Sequence, residues 1–186
     1  MTDTSSLAVQ TAAERFVLQW GDMGGRWGVN RSVGQIHALL YLAHEPMTAE
    51  AVAEALGIAR SNVSNSLKEL QAWGLVRRAP VRGDRRDHFE AETDVWEIAA
   101  RIAEGRKTRE IDPALATLRA CVAAADADPA VHPVARERLR RMLDFTDTMA
   151  RWYGQMTAVP RPKLLGLIRL GARIAALLPD GAKSKS

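Results

Sequence analysis

The stretch from residue 47 to residue 92 constrains the fold most, because its spacing of apolar, polar and turn residues fits one compact arrangement. Thr48 can cap a short helix, and Gly57 then allows the backbone to turn. A second helix is predicted over residues 59–73. Its apolar side chains recur at intervals of four and three and form one buried stripe, made of Val63, Leu67 and Leu70. This stretch therefore predicts two short helices joined by a tight turn.

An arginine-rich hairpin is predicted directly after the second helix. Its first strand covers Leu75–Arg78, its turn Arg82–Arg85, and its second strand Arg86–Glu92. Pro80 restricts the first strand to a sheet edge, because proline cannot donate a hydrogen bond to a neighbouring strand. The hairpin carries five arginines, which are Arg77, Arg78, Arg82, Arg85 and Arg86. Two helices and such a hairpin predict a winged helix-turn-helix with a two-stranded β wing.

The other face of the second helix carries short hydrogen-bonding side chains and two cations: Arg60, Ser61, Asn62, Ser64, Asn65 and Lys68. Arginine matches guanine edges and asparagine matches adenine, whereas serine and lysine reach phosphates. The members expected to approach bases in the major groove of double-stranded DNA are Arg60, Asn62, Ser64 and Asn65. Ser61, Lys68 and the hairpin arginines are expected to hold phosphates or the minor groove. The alternative is a helix-turn-helix that contacts protein, or a charged face that is only solvated.

The distribution of charge favours DNA. The whole chain has a net charge of +4. Between Arg60 and His88 there are seven basic and three acidic residues, so this segment alone carries a surplus equal to that of the chain. A localised positive field is expected of a protein that displaces counterions from DNA.

Several other classes of protein are disfavoured. The single cysteine, Cys121, excludes an intramolecular disulfide framework, and we expect this alanine-flanked residue to be buried and inert rather than a redox sensor. The start of the chain lacks the pattern of a signal peptide and no apolar run could cross a bilayer, so we expect a cytoplasmic protein. His37 and His44 lack supporting metal ligands, and no catalytic arrangement stands out. We therefore expect no metal, no cofactor and no enzymatic activity.

Helical patterns on both sides of this unit predict a mainly α chain. On the amino side, a helix over Leu7–Trp20 precedes the glycine-rich stretch Gly21–Gly28, which we expect to form a loop. Asn30 or Ser32 can begin the next helix, which runs to about Ala43. Its expected buried face consists of Ile36, Leu39, Leu40 and Ala43. This helix would supply the floor on which the two short helices lie.

On the carboxyl side, a helix is expected after the wing, because Asp94 and Glu97 have the spacing of a capping box. The chain should break or kink at Asp112–Pro113. From His132 to Met156 the apolar spacing is that of a coiled-coil seam, formed by Ala135, Leu139, Met142, Thr146, Met149, Tyr153 and Met156. The last helix, Lys163–Leu178, is apolar nearly all round and must be buried. In a chain this short a subunit interface would bury it, so a homodimer with interleaved first and last helices is expected.

These patterns divide the chain into four regions. Residues 1–30 form an N-terminal helix and glycine-rich loop that join the dimerisation region, and residues 31–93 form the winged helix-turn-helix DNA-binding domain. Residues 94–180 form the C-terminal helical dimerisation region, and residues 181–186 a disordered tail.

Three segments make a family resemblance specific. They are Trp27–Leu40, Gly57–Ser64 and Arg82–Arg86, and the chain resembles GbsR-type transcriptional regulators of the MarR superfamily over roughly residues 7–178. The resemblance implies a winged helix-turn-helix regulator that dimerises through its terminal helices. The type member represses genes for glycine betaine synthesis and senses choline. This sequence departs from the family at Ala59, where a capping residue usually opens the recognition helix, which leaves Ser61 as the expected cap.

Aromatic side chains suggest where an effector could bind. Quaternary ammonium compounds are held by aromatic faces, and the candidate residues are Trp27, Tyr41, Trp96, Trp152 and Tyr153. A pocket between Trp27 and Trp96 would lie where a ligand could shift the wing. The alternative is that each tryptophan only fills core space.

The sequence therefore predicts a homodimeric, sequence-specific DNA-binding regulator, a repressor released or modulated by a small-molecule effector. The competing hypothesis is a non-switching module that docks on a protein or a membrane surface through its last helix. Docking on a membrane surface is considered because the segment from Thr148 to Pro179, which includes the last helix, has five cations and no acid.

Overall fold

The structure, a computed structural model, describes residues 11–171. In chain order its elements are α1 (Ala12–Arg26), α2 (Arg31–Leu42), β1 (Met47–Thr48), α3 (Ala49–Leu56), α4 (Arg60–Ala72), β2 (Val76–Arg78), β3 (His88–Ala91), α5 (Val95–Arg106), a π-helical turn (Lys107–Ile111), α6 (Asp112–Ala127), α7 (Pro133–Thr157) and α8 (Arg161–Leu170). The residues divide into two compact units between Ile102 and Ala103. The predicted helical residues 7–10 and 172–178, and the predicted tail 181–186, lie outside the described residues. The four predicted regions stay a prediction.

The first unit has the predicted winged helix-turn-helix fold, and its core is built on α2. The apolar stripe of α4 is buried as predicted, and Val52 of α3 joins it. The other large members of this core are Ile36, Leu40, Phe89 and Ile98. Leu39 and Ala43, which were also expected to be buried, are only half-buried at the edge of α2.

α1 shows that the predicted loop over Gly21–Gly28 is wrong, because the helix continues to Arg26. The helix begins after a capping box in which the Glu14 backbone N–H donates to Thr11 Oγ1 over 3.2 Å. Where α1 packs on α2, a Cβ added to Gly34 would lie 3.0 Å from Gly21 Cα. Glycine at this crossing lets two backbones approach closely, and that packing outweighs the roughly 0.5–1 kcal/mol that a glycine costs within a helix.

Replacing Gly34 by alanine is expected to destabilise the fold by about 1–3 kcal/mol, because the new methyl group would meet backbone atoms that cannot rotate away. The clash would involve Gly21 Cα at 3.0 Å and the Trp20 carbonyl oxygen at 3.1 Å. Urea unfolding measures the change. Gly25→Ala is the control, since no atom lies within 4 Å of a Cβ added there. The control should be neutral or stabilise by up to about 1 kcal/mol. Equal stability of the two variants would contradict the close helix crossing.

A third strand, absent from the prediction, completes the sheet of the wing. The strand order is β1-β3-β2, with both pairs antiparallel. Met47 pairs with Phe89, and Val76 pairs with Ala91. β1 has only two residues, too few to show the alternation by which a strand is predicted. It joins the base of the wing to the start of α3.

α5 begins as predicted after Asp94, whose carboxylate accepts hydrogen bonds from the backbone N–H of Trp96 at 2.9 Å and of Glu97 at 3.4 Å. The predicted capping box is nevertheless incomplete. Glu92, not Glu97, accepts from the Asp94 backbone N–H, and the Glu97 carboxylate instead pairs with Arg101 at 2.8 Å. Arg101 also donates to the Gly74 carbonyl oxygen and so connects α5 to the end of α4.

The second unit begins with a helical path that the predicted break at Asp112–Pro113 does not interrupt. The π-helical turn Lys107–Ile111 leads directly into α6, with Pro113 in its first turn. Lys107 Nζ lies 2.9 Å from each carboxylate oxygen of Asp112 and closes this turn. The expectation that Cys121 is buried is also wrong, because this residue is exposed on α6. It lies outside the stripe of Leu115, Leu118, Val122 and Ala125 that is buried or half-buried.

α7 confirms the predicted long helix, but the predicted seam combines two different stripes. One stripe is buried or half-buried and consists of Leu139, Leu143, Thr146, Ala150 and Tyr153. The other stripe, here called the exposed α7 stripe, consists of Met142, Phe145, Met149 and Trp152. Phe145 is 64% exposed and Trp152 is 52% exposed. The sequence pattern could not distinguish the two stripes, because the residues of each stripe recur at intervals of three and four.

α8 is shorter than the predicted last helix. It starts at Arg161 and ends at Leu170, where Gly171 follows with φ of 47°. Its apolar side chains Ile168 and Leu170 are exposed in the single chain. Burial of this helix at a subunit interface stays a prediction. Within residues 11–171 no helix combines the length and apolar character needed to cross a membrane.

Candidate nucleic-acid interface

The Thr48 cap and the Gly57 turn place α4 after α3 in the helix-turn-helix. The Thr48 side chain caps α3 by accepting from the Ala51 backbone N–H at 3.2 Å. Gly57 ends α3 with φ of 63°, a left-handed conformation that favours glycine. Ala59 occupies the N-cap position of α4 without a side-chain hydrogen bond, so the expectation that Ser61 caps this helix is wrong. Ser61 is therefore an exposed residue of the first helical turn.

Asn62 is less exposed than the other predicted DNA-binding residues of α4. It is half-buried, and its Nδ2 donates to Ser32 Oγ at the start of α2 over 2.9 Å. Ser66 Oγ in turn donates to Asn62 Oδ1 over 3.4 Å. These contacts fix α4 on α2. The predicted α4 residues that lie exposed are Arg60, Ser61, Ser64, Asn65 and Lys68.

The wing arginines fall into two groups. Three are paired with acids of the same hairpin: Arg77 with Glu90 at 2.6 Å, Arg78 with Asp87 at 3.5 Å, and Arg86 with Asp84. Arg82 and Arg85 are exposed and form no ion pair within the described part of the chain. Exposed ion pairs contribute only about 0–1 kcal/mol, so the paired arginines can exchange partners.

Asp84 organises the turn of the wing. Its carboxylate accepts from the Arg86 backbone N–H at 2.9 Å and from Arg86 Nε at 3.0 Å. The side-chain hydrogen bond from Arg86 is the largest of the causes that hold the pKa of the Asp84 carboxyl well below its usual range. The same contact raises the pKa of Arg86. His88 completes the turn with Nδ1 2.9 Å from the Arg86 carbonyl oxygen and Nε2 3.5 Å from Asp84 Oδ2.

A groove of about 280 Å³ lies between α4 and the wing. Its basic side chains are Arg60, Lys68, Arg78 and Arg86, and its acidic side chains are Glu50 and Asp87. Arg60 pairs with Glu50, and a hydrogen bond to its own backbone N–H, followed by the charge of Arg60, lowers the pKa of Glu50. Lys68 has no ion pair among residues 11–171. The groove brings predicted residues of the helix and the wing together at a scale that fits a phosphate.

The predicted aromatic residues are divided between the two units. Trp27 is 59% exposed and Trp96 is also exposed, and Trp152 and Tyr153 belong to the second unit. Tyr41 lines an apolar pocket together with residues that the sequence did not indicate, Phe16, Trp20 and His37. The helical spacing of Phe16 and Trp20 was a possible signal, but it was indistinguishable from ordinary core packing.

The sequence of this interface is similar to that of a known family. Residues 27–87, which include α2, the helix-turn-helix and most of the wing, match the MarR family. This segment of the chain is therefore similar to a MarR-family domain. MarR-family regulators are non-enzymatic, as the sequence predicts for this chain.

Three relatives of this MarR-type chain come from Bacillus subtilis (strain 168). The HTH-type transcriptional repressor GbsR is 26% identical over 56% of this chain, and the HTH-type transcriptional repressor OpcR is 22% identical over 52%. The putative HTH-type transcriptional regulator YvaV is 22% identical over 48% of this chain. The aligned segments cover 57%, 52% and 50% of these relatives, so the chain spans about half of their length.

A solved structure supports the fold. A crystal structure of a transcriptional regulator superposes with a TM-score of 0.61 and 21% sequence identity, covering 79% of this chain and 96% of that one. At this level of identity the likeness concerns the fold alone. It agrees with the mainly α, winged helix-turn-helix architecture.

Proposed function

We propose that this MarR-type protein is a homodimeric, sequence-specific DNA-binding regulator that represses transcription and responds to a small-molecule effector. The observation that carries the proposal is the shared exposure of the polar face of α4 and of Arg82 and Arg85, two wing cations that have no ion pair with residues 11–171. Both features lie on a domain whose relatives include two proteins named as transcriptional repressors. Repression by this chain is proposed from those names.

In the proposed complex, α4 lies in the major groove. Arg60, Ser64 and Asn65 approach base edges, since these exposed side chains can donate to or accept from bases. Asn62 acts as a positioning residue, because its hydrogen bond to Ser32 fixes the helix on α2. Ser61 and Lys68 hold phosphates on either side of the reading residues.

The wing supplies affinity that does not depend on base sequence. Arg82 and Arg85 contact phosphates or the minor groove without first breaking an ion pair within the described chain. Arg77, Arg78 and Arg86 exchange a carboxylate for a phosphate and add less. The unpaired arginines should therefore dominate the salt dependence of binding.

A second copy of the chain is the proposed partner of the exposed α7 stripe. Four large apolar side chains along about three helical turns would remain in water in a single chain. Their alternation of three and four is the spacing at which two helices pack side by side. Dimerisation would place two copies of α4 against successive major grooves, about 34–36 Å apart.

The DNA proposal is tested by enriching duplexes from a random pool with the full-length protein and measuring the dissociation constant of the best duplex across a salt series. Loss of two phosphate contacts in Arg82→Ala/Arg85→Ala should weaken binding about 10- to 100-fold. The slope of log affinity against log salt should become shallower by about two.

Arg15→Ala/Arg26→Ala is the matched control, because it removes the same charge from exposed positions of α1. This control should keep the wild-type salt slope. A wing variant that kept both affinity and slope would contradict wing contact with DNA. Failure to enrich any duplex would contradict DNA binding itself and favour docking through α8.

A further inference from the structure

An acidic side chain, Glu50, faces the groove between α4 and the wing, where basic side chains predominate. Glu50 belongs to the first turn of α3 and lines this groove together with Arg60, Lys68 and Arg86. DNA is a polyanion, so a carboxylate that faces it repels the phosphates and weakens binding to every duplex. Affinity alone therefore gives no reason for an acid at this position.

The Glu50 carboxylate is held at the start of α3 by local hydrogen bonds. A hydrogen bond from its own backbone N–H, the charge of Arg60 and a hydrogen bond from the Thr48 side chain lower the pKa of the Glu50 carboxyl. Thr48 also caps α3, so the residue that starts the helix also holds the carboxylate. Glu50 is therefore a fixed anion near neutral pH.

Glu50 forms an ion pair with Arg60, the first residue of α4. The pair connects the amino ends of the two helices of the helix-turn-helix. It uses Arg60 Nη2, and the side chain of Arg60 is 71% exposed. A guanidinium has several N–H donors in one planar fork, so donors remain for a second planar acceptor. The ion pair therefore restricts the direction of Arg60 without occupying all of its donors.

The ion pair also limits what Arg60 can bind. A phosphate held by Arg60 would lie close to the Glu50 carboxylate and be repelled, whereas the edge of a base carries no net charge. In the major groove guanine presents two acceptors, O6 and N7, which match two N–H groups of a guanidinium. Adenine presents a donor, N6–H₂, beside its N7 acceptor, and that donor would meet an N–H of Arg60. Guanine is therefore the base that suits the paired Arg60.

We propose that Glu50 is a specificity-determining positioning residue, which directs Arg60 to the major-groove edge of guanine and so makes α4 select a G·C pair at one position of each half-site. This inference rests on the proposed function, because it requires α4 to lie in the major groove. The competing explanation is that Glu50 only stabilises the amino end of α3, where a negative charge suits the helix dipole. In that case the base preference would not depend on Glu50.

The experiment enriches duplexes from a random pool with the full-length wild type, Arg60→Ala, Glu50→Gln and the double variant, and then measures affinities for single-base variants of the best duplex. The wild type should prefer guanine at one position of each half-site by about 5- to 100-fold, and Arg60→Ala should abolish this preference. Glu50→Gln should reduce it about two- to fivefold and bind unrelated duplexes more tightly. The double variant should lose no more preference than Arg60→Ala, since Glu50 acts through Arg60.

Glu54→Gln is the matched control, because it removes the same charge from an exposed position one turn further along α3 and should keep the guanine preference. A measurement without DNA tests the ion pair itself. The ¹³C resonance of the Glu50 carboxyl should titrate at higher pH in Arg60→Ala than in the wild type, because the charge of Arg60 lowers the pKa of Glu50. An unchanged titration would overturn the pairing on which the proposal depends.

The outcomes separate this inference from the proposed function. If the wild type enriches a motif and Glu50→Gln keeps the full guanine preference, with or without a loss of stability, the role of Glu50 is overturned and DNA binding stands. The same holds if Arg60→Ala loses its preference for a base other than guanine. If the wild type enriches no duplex, sequence-specific DNA binding fails, and the role of Glu50 fails with it.

Discussion

Phe145→Glu is expected to convert the proposed dimer into a monomer, with a dimer dissociation constant at least about a hundredfold higher than that of the wild type. Phe145 is 64% exposed in the single chain, at the centre of the exposed α7 stripe. In a two-fold dimer each substitution occurs twice, so two carboxylates would enter the same apolar contact. Sedimentation equilibrium over a concentration series measures the change directly.

Loss of the dimer by Phe145→Glu can be distinguished from loss of the fold. Because Phe145 is mostly exposed, the isolated variant should keep the wild-type circular dichroism spectrum. Gln155→Glu adds the same charge at an exposed position of α7 outside the stripe and should remain dimeric. A wild-type protein that is already monomeric, or a Phe145→Glu variant that dimerises normally, would show that a second copy does not cover this stripe. Weaker DNA binding by the monomeric variant would connect dimerisation to recognition.

Stability should fall by roughly 3 kcal/mol between about pH 6.5 and about pH 4 because of His37 alone. Burial lowers the pKa of this histidine to about 4 from an ordinary value of 6.5. Within that window the unfolded chain binds a proton that the folded chain does not. The free energy of unfolding therefore decreases as the pH falls, and the contribution levels off once the folded protein is also protonated.

Urea unfolding at several pH values measures the slope of the free energy of unfolding against pH. Carboxylates also titrate in the same range, so the decisive quantity is the difference between wild type and His37→Phe, which has no imidazole to protonate. That variant should lose the His37 part of the slope, whereas His44→Phe should retain it, because His44 is exposed. Identical slopes for wild type and His37→Phe would contradict the burial of a neutral imidazole.

Local sequence signals predicted the helix-turn-helix well. Thr48 caps α3, Gly57 ends it, and Leu67 and Leu70 lie in the core as their spacing indicates. Each of these features depends on residues within one or two helical turns, where capping and periodicity act directly. The β2–β3 wing was predictable from its own residues, since glycine and aspartate mark the loop of residues 79–87 between its strands.

Features that depend on a distant partner were missed. α1 continues through its glycines because Gly34 of α2 lies against Gly21. Asn62 looks like a base-reading residue until Ser32, thirty positions earlier, accepts its hydrogen bond. β1 exists only because β3 pairs with it. None of these partners has a fixed spacing that a pattern could reveal.

By itself, the sequence determined where the helix-turn-helix and the wing form, which stripe of α4 is buried and where positive charge concentrates, because capping, periodicity and charge are properties of neighbouring residues. Tertiary structure alone decided which stripe of α7 remains exposed in the single chain. It also decided which wing arginines form no ion pair with residues 11–171, and that the buried His37 Nε2 has no hydrogen-bond partner among those residues. Those outcomes depend on side chains from different helices and strands meeting in space. Burial and pairing energies are set by such meetings, and not by the order of residues along one helix.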